Sequence, residues 1–188
     1  MLHYNIITKN TLFILMIGVF FISCRNDKFV QNEQLNVNGK FPDEASKNIS
    51  MTFSDNGFKS FELYAPSLYK YNGEKAYMDC PEGIKIISYG NDNEPEAIMT
   101  ADYAISEEES KTMEARKNVV ITNVKKGDTI KTEKIVWDKR NKRIYSDVMV
   151  KQIRSDGTIS IGDGFDADEK FSRYTVRNPR GEVMAEDI

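Results

Sequence analysis

The feature that most constrains the fold of this chain is a repeated alternation of apolar and polar residues in short segments. Ile49-Ser50-Met51-Thr52-Phe53 is one example, and Val119-Val120-Ile121-Thr122-Asn123-Val124 is another. A period of two places alternate side chains on one face of a β-strand, whereas a helix would need a period near 3.6. Helical spacing fails along the chain after its N-terminal segment, so the sequence predicts an all-β fold.

Turn-forming residues separate these segments. Asp55-Asn56-Gly57, Asn72-Gly73 and Ser155-Asp156-Gly157 are typical of tight turns between strands. Strands that recur about every 8 to 12 residues are typical of a sandwich, a jelly roll or a barrel. The predicted strands are 49–53, 58–64, 68–71, 74–80, 84–89, 96–104, 119–124, 129–137, 143–153, 158–161 and 171–176.

The apolar phase changes within the predicted strand 129–137. Ile130 falls on one face of a regular strand, while Ile135 and Trp137 fall on the other. A β-bulge near Thr132 and Glu133 is needed to keep all three side chains inside. Bulges bend a sheet, and a bent sheet can form an open trough, although a closed core accounts for the same residues.

A weak internal period of 32 residues accompanies the strands. Thr100-Ala101-Asp102, Thr132-Glu133-Lys134 and Gly164-Phe165-Asp166 start at this spacing. The period indicates a recurring unit of paired strands that stack to bury a continuous apolar face.

The N-terminus has the pattern of an export signal. Twelve uncharged residues, 11–22, follow Lys9 and precede Ser23 and Cys24. As a helix this run would be about 18 Å long, against a bilayer core of about 30 Å. Phe21-Ile22-Ser23-Cys24 resembles the lipobox of bacterial lipoproteins, and the alternative is a retained membrane helix. We expect a signal peptide over 1–23, a lipidated Cys24 with a polar tether over 24–47, a β-domain over 48–183 and a tail over 184–188.

Composition argues against several functions. The one histidine, His3, precedes the export signal, so the mature chain lacks the usual base and metal ligand. A net charge of −3 gives no basic surface for nucleic acid. The acids of 163–169 lack the spacing of a calcium loop and indicate a solvated turn. We expect no enzyme activity, no cofactor, no metal site, and an inert buried thiol at Cys80.

Several short segments follow one another along the chain: Leu63-Tyr64-Ala65-Pro66, Tyr77-Met78-Asp79-Cys80-Pro81-Glu82-Gly83-Ile84, Thr100-Ala101-Asp102-Tyr103-Ala104, Met113-Glu114-Ala115-Arg116-Lys117-Asn118-Val119-Val120, Gly127-Asp128, Thr132-Glu133-Lys134-Ile135-Val136-Trp137-Asp138, Ile144-Tyr145-Ser146 and Ile161-Gly162-Asp163-Gly164-Phe165. In this order and spacing they resemble the LptC family of lipopolysaccharide export proteins. The resemblance implies an open, twisted antiparallel β-jelly roll of the lipopolysaccharide-transport type. Such a protein would sit at the periplasmic face of the inner membrane, accept lipopolysaccharide from an inner-membrane ABC transporter and pass it to the next periplasmic bridge protein.

The resemblance also implies two kinds of site. The candidates for an apolar lipopolysaccharide groove are Phe61, Leu63, Ile84, Ile86, Met99, Ala101, Val119, Ile121, Ile130, Ile135, Trp137, Val148 and Val150. The candidates for strand edges that pair with partner proteins are Ile49, Met51 and Phe53 at the transporter end and Phe171, Tyr174 and Val176 at the other end.

Two other classes of function stay open from the residues alone. One is a β-sandwich lipoprotein that binds a protein or glycan without carrying lipid. The other is a hydrolase that uses a carboxylate pair drawn from Asp102, Glu107, Glu108 and Glu133.

Overall fold

A computed structural model describes residues 40–184, which fall within one compact unit, 37–188. The predicted signal peptide, the lipidation of Cys24, most of the predicted tether and most of the predicted tail lie outside the described residues. Within 40–184 no helix is long and apolar enough to cross a membrane.

The described residues form a sheet of fourteen strands in which each pairing is antiparallel. This confirms the predicted all-β class and is consistent with the predicted jelly roll. The strands are β1 (Glu44–Asp55), β2 (Phe58–Tyr71), β3 (Tyr77–Cys80), β4 (Ile84–Tyr89), β5 (Pro95–Ala101), β6 (Tyr103–Glu107), β7 (Thr112–Asn123), β8 (Thr129–Asp138), β9 (Arg143–Ser146), β10 (Val150–Ile153), β11 (Thr158–Gly162), β12 (Gly164–Asp168), β13 (Tyr174–Arg177) and β14 (Arg180–Met184).

The sheet folds into two halves, and four long strands, β1, β2, β7 and β8, run through both of them. β2 pairs with β4 through 61–64 and with β3 through 69–71. β7 and β8 change neighbours in the same way along their lengths. We call the two parts of the folded sheet half A and half B. Half A consists of the whole strands β3, β6, β9, β12 and β13, together with residues 44–47 of β1, 67–71 of β2, 112–116 of β7 and 134–138 of β8. Half B contains the other parts of those long strands with β4, β5, β10, β11 and β14.

We call the line along which strands pass from one half to the other the ridge. Irregular backbone conformations occur along this line. In β1 the ridge is at Asn48, which has φ 52° and faces Pro66 of β2, a residue without a backbone N–H. In β7 it is at Lys117 and Asn118, both with positive φ, which lie opposite the single residue Glu133 of β8. This is a β-bulge, and it bends the paired strands.

The phase change that the sequence shows in β8 lies at the ridge, at Glu133 opposite this bulge. Ile130 and Ile135 are both buried in the core, and Trp137 packs against it, so all three are inside as expected. The prediction was wrong in one respect, because the extra residue belongs to β7 rather than to β8.

Strands cross the ridge in the same direction at a spacing close to the predicted period of 32 residues. Asp102, Glu133 and Asp163 all lie on the ridge, at the β5–β6 junction, within β8 and at the β11–β12 junction. One period therefore corresponds to a strand that passes from one half to the other and a strand that returns.

Side chains of the two halves meet inside the fold. Phe61 of half B packs on Trp137 of half A, and Gln152 Nε2 of half B donates to the hydroxyl of Tyr174 of half A at 3.0 Å. The most deeply buried large side chains are Phe165, Phe171, Ile130, Val119 and Val150. The core is thus the interior of the folded sheet, and the side opposite the ridge is its open side.

The two ends of the sheet have different edges. Within the described residues, β1 pairs with β2 alone, β13 with β12 alone and β14 with β11 alone. Along an antiparallel strand, the backbone N–H and C=O groups of successive residues point alternately to one side and to the other. Asp168 N donates to Arg173 O at 3.2 Å, so Arg173 points toward β12, and so does every second residue after it. Thr175 therefore shares the hydrogen bonds between β12 and β13, while the backbone groups of Val176 point toward the free edge.

Several boundaries differ from the sequence prediction. The predicted strands 58–64 and 68–71 form the single strand β2, and the predicted strands 96–104 and 143–153 are each divided into two. β1 begins at Glu44, so 44–47 belong to the sheet rather than to the tether. β7 begins at Thr112, seven residues before the predicted strand. β14 was not predicted at all, and the predicted strand 171–176 is a turn followed by β13.

Candidate functional site

An apolar cleft opens on the open side of the folded sheet, between β1, β2 and β4 of half B and β3, β6, β7 and β8 of half A. Its volume is about 550 Å³. Most of its walls are inward-facing side chains that alternate along the strands, as a pleated sheet requires. The apolar lining residues are Met51, Phe53, Phe61, Leu63, Leu68, Met78, Cys80, Ile84, Ile86, Ala104, Ile105, Met113 and Trp137.

The cleft narrows deeper in the fold. A second space of about 40 Å³ shares Phe61, Ile86 and Trp137 with the cleft and reaches Ile121 and Phe171. Beyond Phe171 the interior is filled by Phe165, Ile130 and Val150, which line neither space. The interior is therefore open at its N-terminal end and closed at its C-terminal end.

Two aromatic rings pack against each other in the wall of the cleft. The ring centroids of Phe61 and Trp137 are 5.0 Å apart at an interplanar angle of 51°. The indole Nε1 of Trp137 is buried and has no hydrogen-bond partner among the described residues. A buried donor without a partner is costly to the folded state.

Charged and polar residues form the rim of the cleft: Asp55, Ser106, Lys139, Lys142 and Glu169. Lys139 Nζ donates to Ser106 Oγ at 3.0 Å and lies 5.6 Å from the Trp137 ring centroid. Burial, together with the nearby charge of Lys111, lowers the pKa of Lys139. An apolar interior with a charged rim suits a molecule with apolar chains and a polar head.

Cys80 is a free cysteine in the wall of the cleft. Burial and the neighbouring Asp79 raise the pKa of its thiol to about 11. A thiol with so high a pKa is protonated at neutral pH and is a poor nucleophile.

The groove candidates from the sequence fall into three groups. Eight line the cleft or its narrow extension: Phe61, Leu63, Ile84, Ile86, Met99, Ile121, Ile135 and Trp137. Four belong to the packed core away from both spaces: Ala101, Val119, Ile130 and Val150. The prediction that Val148 lines the groove was wrong, because Val148 lies between β9 and β10 on the ridge and is 37% exposed.

The edge candidates also divide. Ile49, Met51 and Phe53 lie on the edge strand β1, and Met51 and Phe53 additionally line the cleft. Tyr174 and Val176 lie on the terminal strand β13. The prediction that Phe171 belongs to an edge strand was wrong, because Phe171 lies in the turn before β13 and its side chain is buried.

Sequence reasoning missed several wall residues. Met113 lies outside the predicted strands, and Leu68 changes phase relative to Leu63 across Pro66. Met78, Cys80 and Ala104 follow the alternation of β3 and β6 and could have been found from it.

Several of the acidic residues considered for metal binding or hydrolysis have other contacts. Asp163 pairs with Arg180, and Asp166 pairs with Arg143. Asp102 accepts a hydrogen bond from Asn118, and Glu107 accepts one from Ser110 at 3.1 Å. Within 40–184 no three His, Cys, Asp or Glu side chains are grouped as a metal site would require.

Comparison with known proteins agrees with this architecture of an open β-fold with an apolar interior. The model of the family "Lipopolysaccharide-assembly, LptC-related" matches residues 11–178. Because this covers most of the chain, the protein belongs to the LptC family. That membership implies lipopolysaccharide binding and a place in the transport bridge of the Gram-negative envelope, a role that is not known to be enzymatic. A search of curated proteins finds no match.

Proposed function

We propose that the protein receives lipopolysaccharide from an inner-membrane ABC transporter and passes it through its cleft to the next periplasmic bridge protein. The observation that carries the proposal is the apolar cleft of about 550 Å³ on the open side of the fold. In this proposal Cys24 carries a lipid and holds the protein at the periplasmic face of the inner membrane.

Burial of acyl chains supplies the binding energy in this proposal. Each buried methylene group contributes about 0.8 kcal/mol, so about ten methylenes contribute roughly 8 kcal/mol before the costs of association. The phosphorylated sugar head would stay at the charged rim with Lys139 and Lys142, where water reaches it. Transfer then requires movement of lipid and no bond chemistry from this chain.

The free edges support the proposed direction of transfer. β1 at one end and β13 and β14 at the other each pair with one strand within the described residues. A strand from another protein can satisfy the unpaired backbone groups and extend the sheet. We assign β1 to the transporter and the β13–β14 end to the next bridge protein, so that the cleft would continue from one protein to the next.

Fluorescence of the sole tryptophan, Trp137, provides a direct test of lipid binding because this ring is in the cleft wall. Titration of the purified protein with lipopolysaccharide should change the Trp137 emission in a saturable way. Met51→Asp places a charge in the wall and should weaken binding at least about tenfold. Thr52→Asp is the matched control, because Thr52 is the next residue of β1 and is exposed.

The two variants also separate lipid transport from a general binding module. Equal binding by wild type, Met51→Asp and Thr52→Asp would place any bound lipid outside the cleft. No binding by the wild type would contradict the proposal and favour a β-sandwich lipoprotein that recognises protein or glycan.

A further inference from the structure

One loop bridges the two halves across the open side. The Phe171 loop, Asp168 to Arg173, connects β12 to β13 of half A. The backbone carbonyl of Lys170 accepts a hydrogen bond from Ser88 Oγ at 3.1 Å, and that of Phe171 accepts one from Asn123 Nδ2 at 2.9 Å. Because Ser88 and Asn123 belong to half B, these two bonds fasten the loop over the interior.

The side chain of Phe171 extends into the interior from this loop. It is 2% exposed, its ring centroid is 5.8 Å from that of Phe165, and it stacks on Tyr174 at 4.9 Å. Its φ of 56° is a backbone conformation that residues other than glycine rarely adopt. The loop therefore holds its largest apolar side chain inward in a conformation that the surrounding contacts must impose.

The loop is organised internally by Asp168. Its carboxylate accepts hydrogen bonds from the backbone N–H groups of Lys170, Ser172 and Arg173 and from the hydroxyl of Ser172. The other hydrogen bonds from the loop to half B are exposed and are made by two lysines: Lys170 Nζ donates to Asn91, and Lys126 Nζ donates to Ser172 O. A loop ordered by its own aspartate can move as a unit once its few bonds to half B break.

Phe171 stands between the cleft and the C-terminal end of the fold. On the near side it lines the narrow space with Ile121 and Ser88. On the far side Phe165, Ile130 and Val150 are fully buried and fill the interior. Interiors packed in this way have no room for an additional chain, so a ligand passes this point only if side chains move.

We infer that Phe171 is the end wall of the cleft, and that an acyl chain reaches the β13–β14 end only when the Phe171 loop leaves the interior. The inference rests on the proposed function, since it concerns the path of a lipid that the cleft binds. It adds that the chain by itself loads lipid at its N-terminal end and holds the far end closed.

Site-specific photo-crosslinking can follow both ends of the path. p-Benzoylphenylalanine is introduced at Phe61, which lines the cleft, or at Tyr174, which lies beyond the wall and lines neither space. Both positions are aromatic and partly buried. The purified protein is then irradiated with purified lipopolysaccharide, and adducts are measured at each position.

With an intact wall, adducts should form at position 61 and be scarce at position 174. A minor open state is typically populated at about 0.1–10%, so Phe171→Ala should raise the adduct at 174 about tenfold or more. The adduct at 61 should change less than about twofold. Phe171→Leu keeps an apolar wall and should resemble the wild type more closely than Phe171→Ala does.

A second variant covers the case in which Phe171→Ala does not fold. Asn123→Ala keeps the ring and removes the hydrogen bond to the Phe171 carbonyl, so it should also raise the adduct at 174. Equal adducts at 61 and 174 in the wild type, or no rise at 174 in any folded variant, would overturn the inference. Absence of adducts at 61 in the wild type would instead contradict lipid binding in the cleft.

Discussion

The same substitution at two inward-facing isoleucines of half B should have opposite consequences. Ile130 on β8 is 0% exposed, belongs to the packed core and lines neither space. Ile86 on β4 is 8% exposed and lines both the cleft and its narrow extension. Ile130→Ala should therefore reduce stability more, and Ile86→Ala should reduce lipid binding more.

The difference in stability follows from what each side chain already contacts. Truncation of a buried isoleucine to alanine costs about 2–5 kcal/mol, and the cost increases with the cavity that remains. Ile130 has protein atoms on all sides, so we expect a loss of about 4 kcal/mol. Ile86 already borders an open space and has fewer contacts to lose, so we expect about 2 kcal/mol.

Urea and thermal unfolding measure this difference, with Trp137 fluorescence as the signal. For a domain of this size, about 2 kcal/mol corresponds to roughly 4–8 °C in Tm. Lipopolysaccharide affinity is measured on the same two proteins at a temperature where both are folded. Ile86→Ala should weaken binding about tenfold, and Ile130→Ala should bind like the wild type.

Two results would refute this reasoning. Equal losses of stability would mean that Ile86 is packed as tightly as Ile130 and that the cleft is not open beside it. Weaker lipid binding by folded Ile130→Ala, with normal binding by Ile86→Ala, would place the lipid in the C-terminal half of the fold.

Three further predictions concern the edge, the Phe171 loop and the anchor. Val176→Pro removes a backbone donor that points to the free edge, so pull-downs should lose the downstream bridge protein while the domain stays folded. Thr175→Pro should instead break the β12–β13 pairing and lower the Tm of the domain. Burial opposes ionisation of Asp168, but hydrogen bonds from Ser172 and neighbouring backbone N–H groups lower its pKa overall. The stability that ionised Asp168 contributes is present above its ordinary pKa of 3.8 and is lost as pH falls below that value. Asp168→Asn should therefore lower the free energy of unfolding, measured in urea, by about 1–2 kcal/mol at pH 7 and by less at pH 3. Cys24→Ala should abolish acylation, and mass spectrometry of the wild type that shows an unmodified Cys24 would exclude the lipid anchor.

The existence of most strands could be predicted because alternation is a local property. The fold into two halves could not, because it depends on where strands change neighbours. Leu63 and Leu68 both line the cleft although their numbers differ in parity, and Pro66 between them marks the ridge. The first half of β7 was missed because Glu114 and Arg116, an ion pair at the surface, obscure the inward Met113 and Ala115.

Periodicity identified the inward face but not the open space. Ile121 and Ile130 pair with each other and are both buried, yet only Ile121 borders the narrow space. A sequence pattern reports which face a side chain occupies, and the residues opposite decide whether the space before it is filled. Phe171 was misplaced because its burial comes from a loop that crosses to half B, a contact over 48 residues of sequence with Asn123.

The central claim, that lipid lies inside the folded sheet, is tested most directly by photo-crosslinking along β2. Phe61 and Leu63 line the cleft, whereas Glu62 and Tyr64 alternate with them and bond to each other through Tyr64 OH at 3.1 Å. p-Benzoylphenylalanine at each of these four positions in turn should give lipopolysaccharide adducts at 61 and 63 and few at 62 and 64. Adducts that are equal at all four positions, or stronger at 62 and 64, would contradict transport through the cleft.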